Sequence, residues 1–212
     1  MVVISSEKFG RMEAPQIDVP LSQEDVARAL VYRLLARFLS APVGQEELQL
    51  AASMEGGAGP LGESLSAFAG LAATSRPDGL ADQYQVLFIG LGRGELVPYA
   101  SYYLTGFLQE KPLARLRGDM SALGVERTES TSEPEDHVSS VLETMAALID
   151  GSLGPQLNVE AQKIFFTTHV ASWMAHFFKD LEESDTSELY ASVGRVGARF
   201  LEVEEEAFRM VV

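Results

Sequence analysis

Apolar residues recur along this chain at spacings of three and four, and no stretch alternates apolar with polar long enough to suggest a strand. The pattern begins after residue 20. Ser22 and Asp25 form an N-cap pair for a first helix whose stripe is Val26, Leu30, Leu34 and Phe38, ending near Ser40 ahead of Pro42. Glu46 to Met54 predicts a short second helix, stopped by a flexible loop, Gly56-Gly57-Ala58-Gly59. Pro60 opens a third, with Leu61, Leu65, Phe68 and Leu71 or Ala72 on one face, and Ser75-Arg76-Pro77 breaks it. The next runs from about Asp78 to Ile89 and sets Tyr84, Leu87 and Phe88 together at i, i+3 and i+4. Gly90, Gly92 and Gly94 interrupt it, and Pro98 fixes the backbone that follows. Short helices are then predicted from Tyr99 to Leu108 and from Pro112 to Leu123, the second closed by Gly124.

In the C-terminal half, Ser132-Glu133-Pro134-Glu135 reads as a capping box with proline in the first turn, opening a helix whose face is Val138, Val141, Leu142, Met145, Leu148 and Ile149. Gly151 and Gly154-Pro155 end it. The stretch holding Ile164, Phe165, Phe166, Val170, Trp173, Met174, Phe177 and Phe178 is apolar around more than half its circumference, which predicts one central buried helix running to Leu181. A last helix, from about Thr186 to Arg209, carries Leu189, Val193, Val196, Phe200, Leu201 and Phe208, with an acidic patch of Glu202, Glu204, Glu205 and Glu206. The expectation is an all-α, single-domain helical bundle of about nine helices over residues 21–212, preceded by a flexible arm over residues 1–20.

Composition narrows the function. Sixteen basic against thirty-one acidic residues give a formal net charge of -15, which disfavours nucleic acid and anionic membrane surfaces and favours a basic peptide as partner. Much of that acidity serves solubility. There is no cysteine, so disulfides, thiolate metal sites and cysteine nucleophiles are absent and a reducing compartment suits the chain. No apolar run approaches the ~20 residues of a membrane span, and the N-terminus lacks the apolar core of an export signal, so a cytoplasmic location is expected.

Local catalytic signatures are missing: no nucleophile elbow appears, and the carboxylates are too scattered to nominate an acid/base pair, so no catalytic residue is assigned. His169 and His176 stand seven residues apart on a helix, about 10 Å at 1.5 Å per residue, too far to share an ion. They are expected as hydrogen-bonded flanks of the core, and neither a metal nor a cofactor is expected. The sequence GLGRG after Ile89 is neither a dinucleotide fingerprint nor a P-loop, and it reads better as a break between helices than as a nucleotide site. Lys111, Arg115 and Arg117 form a small basic face, either solvated or a contact for an acidic surface. Glu133, Glu135 and Asp136 suit a helix N-terminus, where acid opposes the dipole. Asp136 lies roughly opposite the Val138 stripe, and His137, at the margin of that stripe, is expected to be partly exposed and able to meet a ligand.

The pentad YQVLF, the segment PYASYY and the motif EPEDH at 133–137 together resemble the TorD/DmsD/NarJ family of redox-enzyme maturation chaperones. The segment TGFLQEKPLARLRGDMSALG is most similar to members associated with formate dehydrogenases, and FFTTHVASWMAHFFKDL is similar to the family's late aromatic helix. The resemblance spans roughly Leu21 to Phe208. It implies an all-helical chaperone, not an enzyme, whose partner is the catalytic subunit of a molybdenum or tungsten oxidoreductase together with its twin-arginine leader peptide. It also implies that the Asp136-His137 pair helps bind the leader, and an apolar groove with an acidic rim completes the expected client-binding set of Tyr84, Leu87, Phe88, Pro98, Tyr99, Ser101, Tyr103, Glu133, Asp136 and His137. Aromatic residues such as these are more often core than surface, and the two readings coexist where one side of a helix packs and the adjacent edge stays open. The competing readings are a nucleotide-binding protein or enzyme using the glycine break at 90–94, and a helical adaptor without a peptide groove. Connections at Gly56 to Gly59 and Thr128 to Ser132 leave open a monomer or a domain-swapped dimer.

Overall fold

The computed structural model describes residues 20–125, 133–152 and 156–211, and within them the regular structure is helical. The ten α-helices are α1 (Gln23–Ser40), α2 (Gln45–Ala52), α3 (Gly59–Thr74), α4 (Pro77–Tyr84), α5 (Ala100–Thr105), α6 (Lys111–Ala122), α7 (Val138–Asp150), α8 (Val159–Phe165), α9 (Met174–Glu182) and α10 (Glu188–Met210). Two of them run on into a single wider π-helical turn, α4 into Gln85–Ile89 and α8 into Phe166–Val170. Polar punctuation sets several of the boundaries. Ser22 accepts the N–H of Asp25 at 3.0 Å, Asn158 that of Ala161 at 2.9 Å and Ser187 that of Tyr190 at 3.3 Å, each satisfying a donor that a helix start leaves open. The arm expected over residues 1–20 lies outside the described residues, apart from Pro20, and so does the loop at Thr128 to Ser132.

The helices fall into two compact units, neither of them a continuous stretch of sequence. One comprises residues up to Ala36 with Tyr99–Ser172; the other comprises Arg37–Pro98 with Trp173–Val212. The core of the first is the α7 stripe, Val138, Val141, Leu142, Met145, Leu148 and Ile149, all buried as the periodicity predicts, with Leu113, Leu116 and Met120 of α6 and Phe165, Phe166 and Val170. Charged and polar pairs tie the first part of α1 into it: Arg33 to Asp150 at 2.6 Å, and Arg28 to Gln162 at 3.1 Å. The core of the second unit is α10 packed on α9 and α3, with α2 against α3. Leu189, Val193, Val196, Phe200, Leu201 and Phe208 of α10 are buried there with Phe177, Phe178 and Leu181, and Phe38 meets Phe68 edge to face at 5.0 Å.

Five local expectations are corrected. In α1 the buried face is Ala29, Tyr32, Leu35, Ala36 and Leu39 together with Phe38, whereas Val26 and Leu30 are 43% and 60% exposed. A ring at Tyr32, fully buried, anchors the helix in place of the aliphatic stripe chosen from spacing. The loop at Gly56 to Gly59 is not loose, since a Cβ on Gly56 would stand 2.0 Å from the Gly62 carbonyl oxygen. Helix α7 starts at Val138 rather than Ser132, because residues 133–137 are committed to other partners, described below. The stretch to Leu181 is two helices: the π-turn bonds the Ala171 N–H to the Phe166 carbonyl at 2.9 Å, the chain leaves helical geometry, and α9 restarts after Trp173. Glu204, expected as part of an acidic patch, is buried.

Candidate functional site

The expected site residues divide between the two units, with the chain passing from one to the other between Pro98 and Tyr99. In the unit built on α10, the π-turn carries Leu87 and Phe88, and Tyr84 ends α4 just before it. Tyr84 and Leu87 are buried and Phe88 is half-buried. The Tyr84 hydroxyl donates to the Leu39 carbonyl at 3.2 Å, and its ring lies 4.9 Å from Phe88. Tyr190 of α10 completes the cluster, 5.9 Å from Tyr84 and 5.8 Å from Phe88 between ring centroids. No sequence signal near Tyr190 marks it as part of the site, because its neighbours in the cluster lie a hundred residues away. Pro98 is buried in the same unit.

The glycine break closes tightly on the π-turn. Gly90 donates its N–H to Gln85 at 2.7 Å, Glu95 to Val86 at 3.2 Å and Leu96 to Leu87 at 2.8 Å, so those three amides are committed to the chain itself. Gly90 has φ 62 and ψ -175, a backbone region that is nearly glycine-only. Three apolar side chains are held outward here, Val86 and Ile89 about half-exposed and Leu91 fully so, beside the exposed Arg93 and Glu95.

In the other unit, Tyr99 and His137 pair as an isolated antiparallel bridge, and their rings stack edge to face at 5.0 Å. Asp136 lies between that bridge and α5. Its carbonyl accepts the Ala100 N–H at 2.9 Å and its carboxylate accepts the Ser101 N–H at 2.9 Å, which makes it the cap of α5 rather than of its own helix. Ser101, itself buried, passes the order on: its hydroxyl accepts the Gln109 N–H at 3.2 Å and its carbonyl accepts the Thr105 hydroxyl at 2.7 Å. The corner beyond α5 is thereby fixed with Leu104, Phe107 and Leu108 exposed.

His137 is the N-cap of α7, its Nδ1 accepting the Ser139 N–H at 3.3 Å with the Ser139 hydroxyl at 2.7 Å. It is buried, not partly exposed as the sequence suggested. Burial pushes its imidazole down to about 4 against the opposing pull of Glu133 and Asp136, so the ring is neutral at pH 7. With Nδ1 accepting, the proton belongs on Nε2. Glu133 is exposed and accepts the Tyr99 hydroxyl, while Glu135 pairs with Arg117 at 2.8 Å. Tyr99 and Tyr103 are half-buried. The structure thus brings Tyr99, Ser101, Glu133, Asp136 and His137 together as one braced turn, with the acidic Glu133 outermost.

The other candidates have structural places. His169 donates from Nε2 to the buried Asp119 at 2.8 Å, and burial lowers its imidazole while Asp119 opposes. His176 is exposed, not a hydrogen-bonded flank of the core. Of the basic face, Arg117 is held by Glu135 and Arg115 approaches Asp119 at 3.7 Å. Among the described residues no cluster of three or more potential metal ligands occurs, and no helix is long and apolar enough to cross a membrane.

Comparison with known proteins converges on one family. The family profile described as nitrate reductase delta subunit matches residues 35–179. A chaperone protein TorD of Vibrio cholerae is 31% identical over 59% of this chain and 60% of its own length, so the match spans about three-fifths of that relative. A TorD of Shewanella loihica is 28% identical over 92% of this chain and 99% of its own length. A Tat proofreading chaperone DmsD assigned in Haemophilus influenzae is 26% identical over 58% of this chain and 59% of its own length. Among solved structures, a protein of Archaeoglobus fulgidus described as a redox enzyme maturation protein superposes with a TM-score of 0.57 at 21% identity, covering 89% of this chain and 99% of that one, a likeness of fold. The chain belongs to the TorD/DmsD/NarJ family of redox-enzyme maturation chaperones, a family of chaperones rather than of enzymes.

Proposed function

We propose that this protein is a cytoplasmic chaperone that holds the immature catalytic subunit of a molybdenum or tungsten oxidoreductase by its leader peptide until the pterin cofactor is in place. The observation that carries the reading is the braced turn at 133–137: it sets the half-buried Tyr99 and the exposed Glu133 on a buried foundation of Asp136 and His137. A carboxylate beside an aromatic ring is suited to an arginine guanidinium, by charge-assisted hydrogen bonding and by stacking. Apolar side chains around Phe88 suit the hydrophobic portion of such a leader, and the net charge of -15 draws a basic segment from a distance. The mechanism is binding, and its energy comes from apolar burial completed by a few directed polar contacts.

Within this reading the client is a formate dehydrogenase, supported by the similarity of residues 105–124 to members associated with that enzyme. Purification of the tagged protein from its own cells, followed by mass spectrometry, tests both levels. Recovery of a formate dehydrogenase catalytic subunit is expected; recovery of a different molybdoenzyme would keep the chaperone reading and replace the client.

A further inference from the structure

Two side-chain hydroxyls among the described residues are buried with no hydrogen-bond partner, those of Tyr190 and Ser192. The serine is unremarkable in a helix, where its hydroxyl can rotate onto the carbonyl four residues back. Tyr190 has no such freedom. Its oxygen sits at the end of a rigid ring wedged against Tyr84 and Phe88, and the whole residue is sealed from water. The nearby Tyr84 hydroxyl is engaged with the Leu39 carbonyl. Burial, reinforced by Tyr84 and opposed by the Val43 N–H, pushes the Tyr190 phenol well above its ordinary value, so it is a neutral donor at any working pH. Native structures rarely leave such a donor unpaired, and one that is calls for an explanation.

The surroundings indicate what pairs with it. Tyr84 and Leu87 are fixed and buried, but Phe88 is half-buried and is carried by a π-helical turn, a local widening that recurs at functional positions. Of the three rings in the cluster, only that of Phe88 is part-exposed. An acceptor arriving there enters an apolar, aromatic environment, which penalises a charged oxygen and suits a neutral carbonyl. Building on the leader-peptide reading above, we propose that Tyr190 is a client-binding residue whose hydroxyl donates to a main-chain carbonyl in the apolar part of the leader once the Phe88 ring swings aside. The hydrogen bond supplies what an apolar groove alone lacks, a fixed register for the bound peptide.

Tyr190→Phe removes the hydroxyl and keeps the ring, so the fold is retained. The test measures the melting temperature of the free protein, and the calorimetric affinity for a synthetic peptide of two arginines followed by a leucine-rich apolar run. The assignment predicts a melting temperature that is unchanged or raised, because the hydroxyl proton has no acceptor in the free protein, and an affinity about three- to ten-fold weaker. A lowered melting temperature would show that the hydroxyl already has a partner inside the protein, and equal affinities would show that the peptide does not use it; either overturns the assignment. Failure of the wild type to bind the peptide at all would remove the leader reading itself, and this one with it.

Discussion

Asp136 has almost no contact with water, yet it is the residue that the acidic motif made most suggestive of a direct ionic contact. Its carbonyl and one carboxylate oxygen are spent on the main chain of α5, through Ala100 and Ser101, so in the proposed site it positions Tyr99 and the corner after α5 and makes no ionic contact of its own. Glu133 is the exposed carboxylate of the pair. Asp136→Asn is therefore expected to cost roughly 0.5–2 kcal/mol of stability, the scale of a lost cap, while leaving the salt dependence of leader binding as in wild type. Glu133→Gln is expected to do the reverse, with little effect on melting and a flatter salt dependence. Calorimetric titrations at two ionic strengths beside melting curves separate the two roles, and a flattened slope for Asp136→Asn would assign the ionic contact to Asp136 instead.

His137 makes the fold sensitive to acid in a calculable direction. The folded ring takes up its proton at about 4 and the unfolded one near 6.5, so the unfolded chain binds the proton first as pH falls. Stability from this group is complete above about 6.5 and is lost progressively towards 4, by at most on the order of 3 kcal/mol. His169, also lowered by burial, adds in the same direction. His137→Asn keeps a short cap acceptor without a titrating ring, and urea titrations at pH 7 and pH 5 are expected to show a smaller loss for it than for wild type. An equal loss would mean that the imidazole is not buried neutral.

At the scale of helices, what was legible depended on whether a single periodic face decided the outcome. Helices α7 and α10 have one apolar face each, and their buried residues follow the spacing. In α1 two overlapping apolar faces compete, and the packing of Tyr32 decides between them in a way that spacing cannot show. The π-turns at Gln85–Ile89 and Phe166–Val170 add one residue to a helical turn without any marker residue, so the break before Trp173 was invisible in an apolar run. The site was partly legible for the same reason. Its residue types and motif spacing stand out, but the burial of Asp136 and His137 follows from long-range pairing with residues 99–101, and Tyr190 joins only through the packing of α10.

The contact of α9 with α10 gives a test of that packing. A Cβ on Gly194 would stand 2.5 Å from the Glu182 nitrogen and 2.8 Å from the Phe178 carbonyl oxygen, both main-chain atoms that cannot swing away. Alanine gains about 1 kcal/mol of helix propensity over glycine, but forcing helices apart costs about 1–3 kcal/mol, so the clash wins. Gly194→Ala is expected to lower stability by roughly 1–2 kcal/mol in chemical denaturation. A stabilised variant would contradict the close approach of the two helices.

For the whole molecule, two compact helical units, an excess of acid and an aromatic cluster in each unit describe a binding protein. A strongly negative chain raises the encounter rate with a basic segment, and apolar contacts then hold it. The account rests on recognition of a client leader, and calorimetric titration of the full chain with the leader of the co-purified catalytic subunit tests this most directly. Paired with it is the same peptide carrying glutamine for its two arginines. The account predicts saturable one-to-one binding of the native leader, weakened by the substitution and by added salt. No binding of the native leader, or equal binding of both peptides at every salt concentration, would contradict it.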